Sequence, residues 1–112
     1  MSNDDKIAIN VMNVISGHFK IPLNDLTNKK RQRKYVMARN IAMTFMRLFT
    51  ELTYREIGIY FSKDHATVLH SVNNVLDYYS IYDDFKNEID YLHEVIMDDE
   101  LLNYKHYDTD SI

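Results

Sequence analysis

Apolar residues along this chain recur at spacings of three and four rather than in strict alternation, the period of amphipathic helices and not of half-buried strands. Ile7, Val11, Val14, Ile15, His18 and Phe19, after a polar Ser2–Asp5 opening, predict a scaffold helix over roughly residues 4–19. Ile21, Pro22, Leu23, Asn24, Asp25 and Leu26 predict one short helix, with Pro22 in its first turn and Leu23 and Leu26 tucked inward. The broadest apolar stripe, Ala38, Ile41, Ala42, Phe45, Leu48 and Phe49, marks a helix of roughly residues 32–50 as the central one. Thr53, Tyr54, Arg55 and Glu56 form a capping box: the Thr hydroxyl accepts from the amide three residues on, and Glu56 reaches back to the cap amide. The short helix that starts there carries Ile57 and Phe61 inward and ends near Phe61. The next helix runs from His65 to Tyr79, with Val68, Leu69, Val72, Val75, Leu76 and Tyr79 on one face. His65, Ala66, Thr67, His70, Ser71, Asn73 and Asn74 fall largely on the other. A last helix, about residues 82–97, presents Phe85, Ile89, Leu92 and Ile96.

Two glycines and one proline in 112 residues are too few for a sandwich or barrel, which turns every eight to twelve residues or so. The expected fold class is all-α, a compact bundle of about six helices. The length suffices for one core and not for a second full domain, so residues 1–97 are expected to form one domain and residues 98–112 an acidic, frayed tail. Without cysteine there are no disulfides or thiolate metal sites, and Gly17 and Gly58 cannot build a phosphate-cradling loop, which disfavours nucleotide hydrolysis. No apolar run exceeds the four residues Tyr35–Ala38, so neither a membrane-spanning helix nor a secretory signal is expected, and the expected location is the cytoplasm. His65 and His70 stand about 140° apart around a helix, which disfavours a shared metal site; no metal or other cofactor is expected. His18 and His93 read as partly buried structural histidines, and Met43, Met46 and Tyr79 as core. Ser16, Ser62 and Ser71 lack a nucleophile constellation, so the chain reads as non-enzymatic.

The net charge of −4 conceals an asymmetry. Residues 1–75 hold eleven Lys and Arg against six Asp and Glu, a balance of +5, whereas residues 76–112 hold two against eleven, a balance of −9. Lys29, Lys30, Arg31, Arg33, Lys34 and Arg39 lie within eleven positions with no acid among them. Such a cluster can be a solvated loop, or it can serve nucleic acid, anionic lipid or an acidic partner. A short helix, a turn and a second helix with a polar outer face outline a helix-turn-helix, an outline that structural hairpins share.

The residue detail goes further. DHATVLH, Asp64 to His70, resembles the signature of the C-terminal DNA-binding domain of DnaA, the bacterial chromosomal replication initiator. FKIPLNDL (Phe19 to Leu26), NKKRQRKYVMARNIAM (Asn28 to Met43) and ELTYREIGIYF (Glu51 to Phe61) resemble that family's short second helix, its basic loop with long helix, and the first helix of its helix-turn-helix, in that order. The resemblance covers roughly residues 7–97 and implies a Trp-repressor-like helical fold that binds double-stranded DNA at an A·T-rich box of the TTATNCACA type. It implies a recognition helix over about 64–79 in the major groove, with Asp64, His65, Ala66 and Thr67 reading bases. It also implies a basic loop, 29–34, whose Arg31 enters the minor groove. Lys29, Lys30, Arg33, Lys34, Arg39, Asn40, Thr53, Tyr54, Lys63 and His70 match backbone-contacting positions, which fix register rather than sequence.

Two departures bear on specificity. Ala66 replaces the family's usual Thr, keeping an apolar contact to a thymine methyl but losing a hydroxyl. The turn Phe61 to His65 is one residue shorter than the family's glycine-paired turn. No counterpart of the initiator's ATPase and amino-terminal oligomerisation domains is expected within these 112 residues, which leaves replication, its regulation and transcription open. The alternative reading is a helical protein-interaction module or small transcriptional regulator whose acidic C-terminal segment recruits a protein partner. The last helix is expected to fold back on the domain rather than form a dimer seam, giving a monomer or weak dimer with no membrane association. The tail either lies away from the basic face or folds over it, and in the second case removing residues 98–112 tightens DNA binding.

Overall fold

The structure is a computed structural model that describes residues 2–98. These residues form α1 (Asn3–Phe19), α2 (Leu23–Thr27), α3 (Arg33–Phe49), α4 (Tyr54–Ile59), α5 (His65–Ile81) and α6 (Asp83–Met97), with no strand among them. The all-α expectation therefore holds. All of the expected tail except Asp98 lies outside the described residues.

Three of the helix starts carry a side-chain cap. Ser2 caps α1 by accepting the Asp5 amide at 3.1 Å. The capping box at Thr53 is complete: its hydroxyl accepts the Glu56 amide at 3.1 Å and its own amide donates to Glu56 Oε1 at 3.0 Å. Asp64 caps α5, its carboxylate accepting the Thr67 amide at 2.8 Å. The end of α1 is a left-handed Lys20, φ 55°, from which the Ile21 amide returns to the Ser16 carbonyl at 3.0 Å. Pro22 sits at the N-cap of α2, one position before the first helical turn expected for it.

The core is one cluster. Ile41, Ala42, Phe45 and Met46 of α3 are buried among Ile7, Val11 and Ile15 of α1, Val68, Val72 and Val75 of α5, and Ile89, Leu92 and Ile96 of α6. Each fully buried large apolar side chain contributes about 1.5–3 kcal/mol of transfer free energy, so this cluster rather than helix propensity holds the bundle. Helix α3 packs against α1, α2, α4 and α5, the central place its stripe predicted. Helix α6 folds back on α1 and α5, and Tyr79 and Lys86 both donate to Asp90, at 2.7 and 2.8 Å, at that seam.

Several expected inward residues face out. Leu48 is 56% exposed, and Leu23, Leu69 and Leu76 are also exposed, whereas Ser71, expected outward, is buried. The stripes on α2, α3 and α5 are broader than the footprints of their neighbours, so residues at the stripe edges meet solvent. The His18 side chain is partly buried, as expected, at 28% exposure, whereas His93 is exposed. The first lies edge-on to Phe19 and 3.3 Å from Glu88, and the second lies against Phe45 and Phe49.

Candidate nucleic-acid interface

Helices α4 and α5 are joined by the turn Tyr60–Asp64. The turn folds back on α4, with the Phe61 and Lys63 amides both donating to the Gly58 carbonyl, at 3.0 and 2.9 Å. A Cβ on Gly58 would overlap the Lys63 carbonyl oxygen, so the close approach itself requires glycine there. Ser62 takes the left-handed conformation, φ 54°, that glycine adopts more readily. Helix α1 braces this unit from behind. Asp4 accepts the Glu51 amide at 3.2 Å just before α4, and the Tyr60 hydroxyl just after it donates to Asp5. That bond holds the Asp5 carboxyl below its ordinary range, and burial, with the same bond, pushes the Tyr60 hydroxyl up.

The first turn of α5 is open to solvent: Asp64, His65, Ala66, Thr67 and, one turn on, His70 are all exposed. The free amides of a helix N-terminus favour anionic groups. Asp64 is already committed in part, because its bond from the Thr67 amide holds the carboxylate low and occupies one acceptor site of Oδ1, leaving Oδ2 open to an outside donor. Capping is the role that base readout alone did not suggest for Asp64.

The loop between α2 and α3 is built around two side chains. Asn28 Oδ1 accepts the Lys30 amide at 2.8 Å, the local turn that Asn favours. Arg39, from α3, reaches back so that Nε donates to the Leu26 carbonyl at 2.7 Å. Its two terminal nitrogens donate to the Lys30 carbonyl at 2.6 Å and the Asp25 carbonyl at 3.1 Å. Arg39 is 4% exposed, and burial lowers its pKa from the ordinary value. Four of its five N–H donors are thus engaged inside the protein, counting the 3.4 Å contact to Asn28 Oδ1, although Arg39 also lines a groove with Lys29 and Arg31. Lys30 is turned in part toward the helices that flank its loop, 3.0 Å from Asp25 of α2 and over the Tyr35 ring of α3. Lys29, Arg31, Arg33 and Lys34 are exposed.

One groove collects most of these elements. Lys29 and Arg31 from the loop, Asn40 from α3, Lys63 from the turn, and Thr67, Ser71 and Asn74 from α5 line it together. Ser71 and Asn74 were not among the candidate site residues, although they follow Thr67 by four and seven positions on one helical face. Arg33 lines the adjoining stretch with Met37 and Tyr78. Thr53 and Tyr54 stand at the start of α4, Thr53 engaged in its capping box and Tyr54 under the Arg47 guanidinium.

Residues 9–75 match the family described as the bacterial dnaA protein helix-turn-helix, a stretch that holds α2, α3, α4, the turn and most of α1 and α5. The chain belongs to this family. The chromosomal replication initiator protein DnaA of Onion yellows phytoplasma is 31% identical over 75 residues, 67% of this chain and 15% of that protein. Its counterpart in Desulfotalea psychrophila is 37% identical over 67 residues, 60% of this chain and 14% of that protein. In Acinetobacter baumannii strain AYE the figure is 40% over 68 residues, 60% of this chain and 15% of that protein. The match therefore spans about one seventh of these DnaA relatives. Among the described residues no helix is long and apolar enough to cross a membrane.

Proposed function

We propose that this chain binds double-stranded DNA in a sequence-specific way, at an A·T-rich box like those of the DnaA initiators, and acts in replication initiation or its regulation. The observation that carries this reading is the groove in which Arg31 and Lys29 of the basic loop meet Lys63 and Thr67 at the head of α5. Helix α5 enters the major groove by its first turn, where His65, Ala66 and Thr67 meet base edges. Asp64 both caps the helix and offers its remaining oxygen to a cytosine amino group. Arg31 inserts into the adjacent minor groove, drawn by its negative potential. Lys29, Lys30, Arg33, Lys34, Asn40, Thr53, Tyr54, Lys63 and His70 hold the backbone on either side.

The reading is tested by Arg31→Ala and His65→Ala, both at exposed positions. Each is expected to weaken binding to a TTATCCACA duplex by about tenfold or more while the helical circular-dichroism signal stays unchanged. Binding that survives both substitutions would contradict it.

A further inference from the structure

Arg39 is a permanently charged group buried beside neutral oxygens. The Asp25 and Leu26 carbonyls it meets belong to α2, which ends at Thr27 and leaves its last carbonyls without intrahelical donors. The third carbonyl, of Lys30, immediately precedes Arg31. One planar fork on α3 thus ties the end of α2 to the basic loop. Asn28 Oδ1 lies 3.4 Å from the same guanidinium, and Asn28 Nδ2 donates to Asp25 Oδ1 at 3.1 Å. The chain between Asp25 and Lys30 is consequently tied down at Asp25, Leu26, Asn28 and Lys30 by bonds within the protein, and the next residue is the arginine that the proposed function places in the minor groove.

We infer that Arg39 is a positioning residue: it holds the basic loop in its DNA-reading shape, so that Arg31 is presented without ordering of the loop on binding. The inference rests on the DNA-binding reading above and assigns Arg39 an action through Arg31 rather than a phosphate of its own. Preorganisation of this kind raises affinity by removing an ordering cost, and it acts on the contacts the loop makes. A lysine keeps the charge but not the five-donor fork, so it cannot bridge three carbonyls in a fixed geometry.

The test compares the full chain with Arg39→Lys, Arg31→Ala and the double variant, titrated with a TTATCCACA duplex and a scrambled duplex of equal composition at several salt concentrations. Arg39→Lys is expected to lose about tenfold in affinity for the box and less than about twofold for the scrambled duplex, with an unchanged salt slope. In the Arg31→Ala background it should add almost nothing, because the two residues act as a unit. Wild-type box affinity and preference in a folded Arg39→Lys protein would overturn the inference. So would Arg39→Met lowering the salt slope by about one with preference intact, the mark of a direct phosphate contact. If Arg39→Lys does not fold, Asn28→Ala decides: it loosens the loop but leaves Arg39, and it should erode box preference, whereas undiminished preference counts against the positioning role. A wild-type chain that binds neither duplex removes the DNA reading itself, a failure visible before any variant is made.

Discussion

Gly58 is held to glycine by a neighbour rather than by its own backbone angles, since the Lys63 carbonyl occupies the place of a Cβ. Gly58→Ala is therefore expected to lower stability by about 1–3 kcal/mol, read as a shifted urea midpoint. The sequence showed a lone glycine in a short helix but not the carbonyl that presses on it. The burial of Arg39 was hidden for a related reason: position in a basic cluster suggested exposure, while its burial depends on where α2 ends, which only the assembled chain reveals. Asp5 is likewise defined by a partner 55 positions away, the Tyr60 hydroxyl. Its folded pKa lies below the ordinary 3.8, as does that of Asp64 through the Thr67 amide. A depressed carboxylate stabilises fully above its unfolded pKa, and that stability is lost as pH falls through the folded value. Thermal melts between about pH 5 and pH 3 should thus show a decline that Asp5→Asn makes shallower; an equally steep decline in the variant would remove Asp5 from the account.

The six helices were legible because each carries its own period and several carry their own caps. The Thr53, Glu56 box identified the start of α4 from four letters, and both of its hydrogen bonds are present. Thr53→Ala should lower stability by about 1 kcal/mol, measured by denaturant unfolding, and an unchanged midpoint would mean the cap carries no net stability. Stripe edges were less legible. Leu69 and Leu76 share a helical face with Val68 and Val75, yet how far a neighbouring helix covers that face depends on where the helices cross, and both leucines remain exposed. The candidate site was legible as two separate elements, the basic loop and the head of α5. What periodicity could not supply was the groove in which they meet, or the part that Ser71 and Asn74 take in lining it.

At the scale of the molecule, charge is sorted by element. The basic loop and the turn before α5 supply Lys29, Arg31 and Lys63 to one groove, while α6 carries Asp83, Asp84, Glu88, Asp90 and Glu94 and packs on α1 and α5. Binding is governed by the potential near the groove rather than by the overall −4. The most direct test is a fluorescence-anisotropy titration of the full chain with a TTATCCACA duplex and with a scrambled duplex of equal composition, each at two salt concentrations. The predicted result is preference for the box, with affinity for both duplexes falling as salt rises, because phosphate neutralisation releases counterions and base readout adds to it. No binding to either duplex at low salt would contradict the assignment of the groove to DNA.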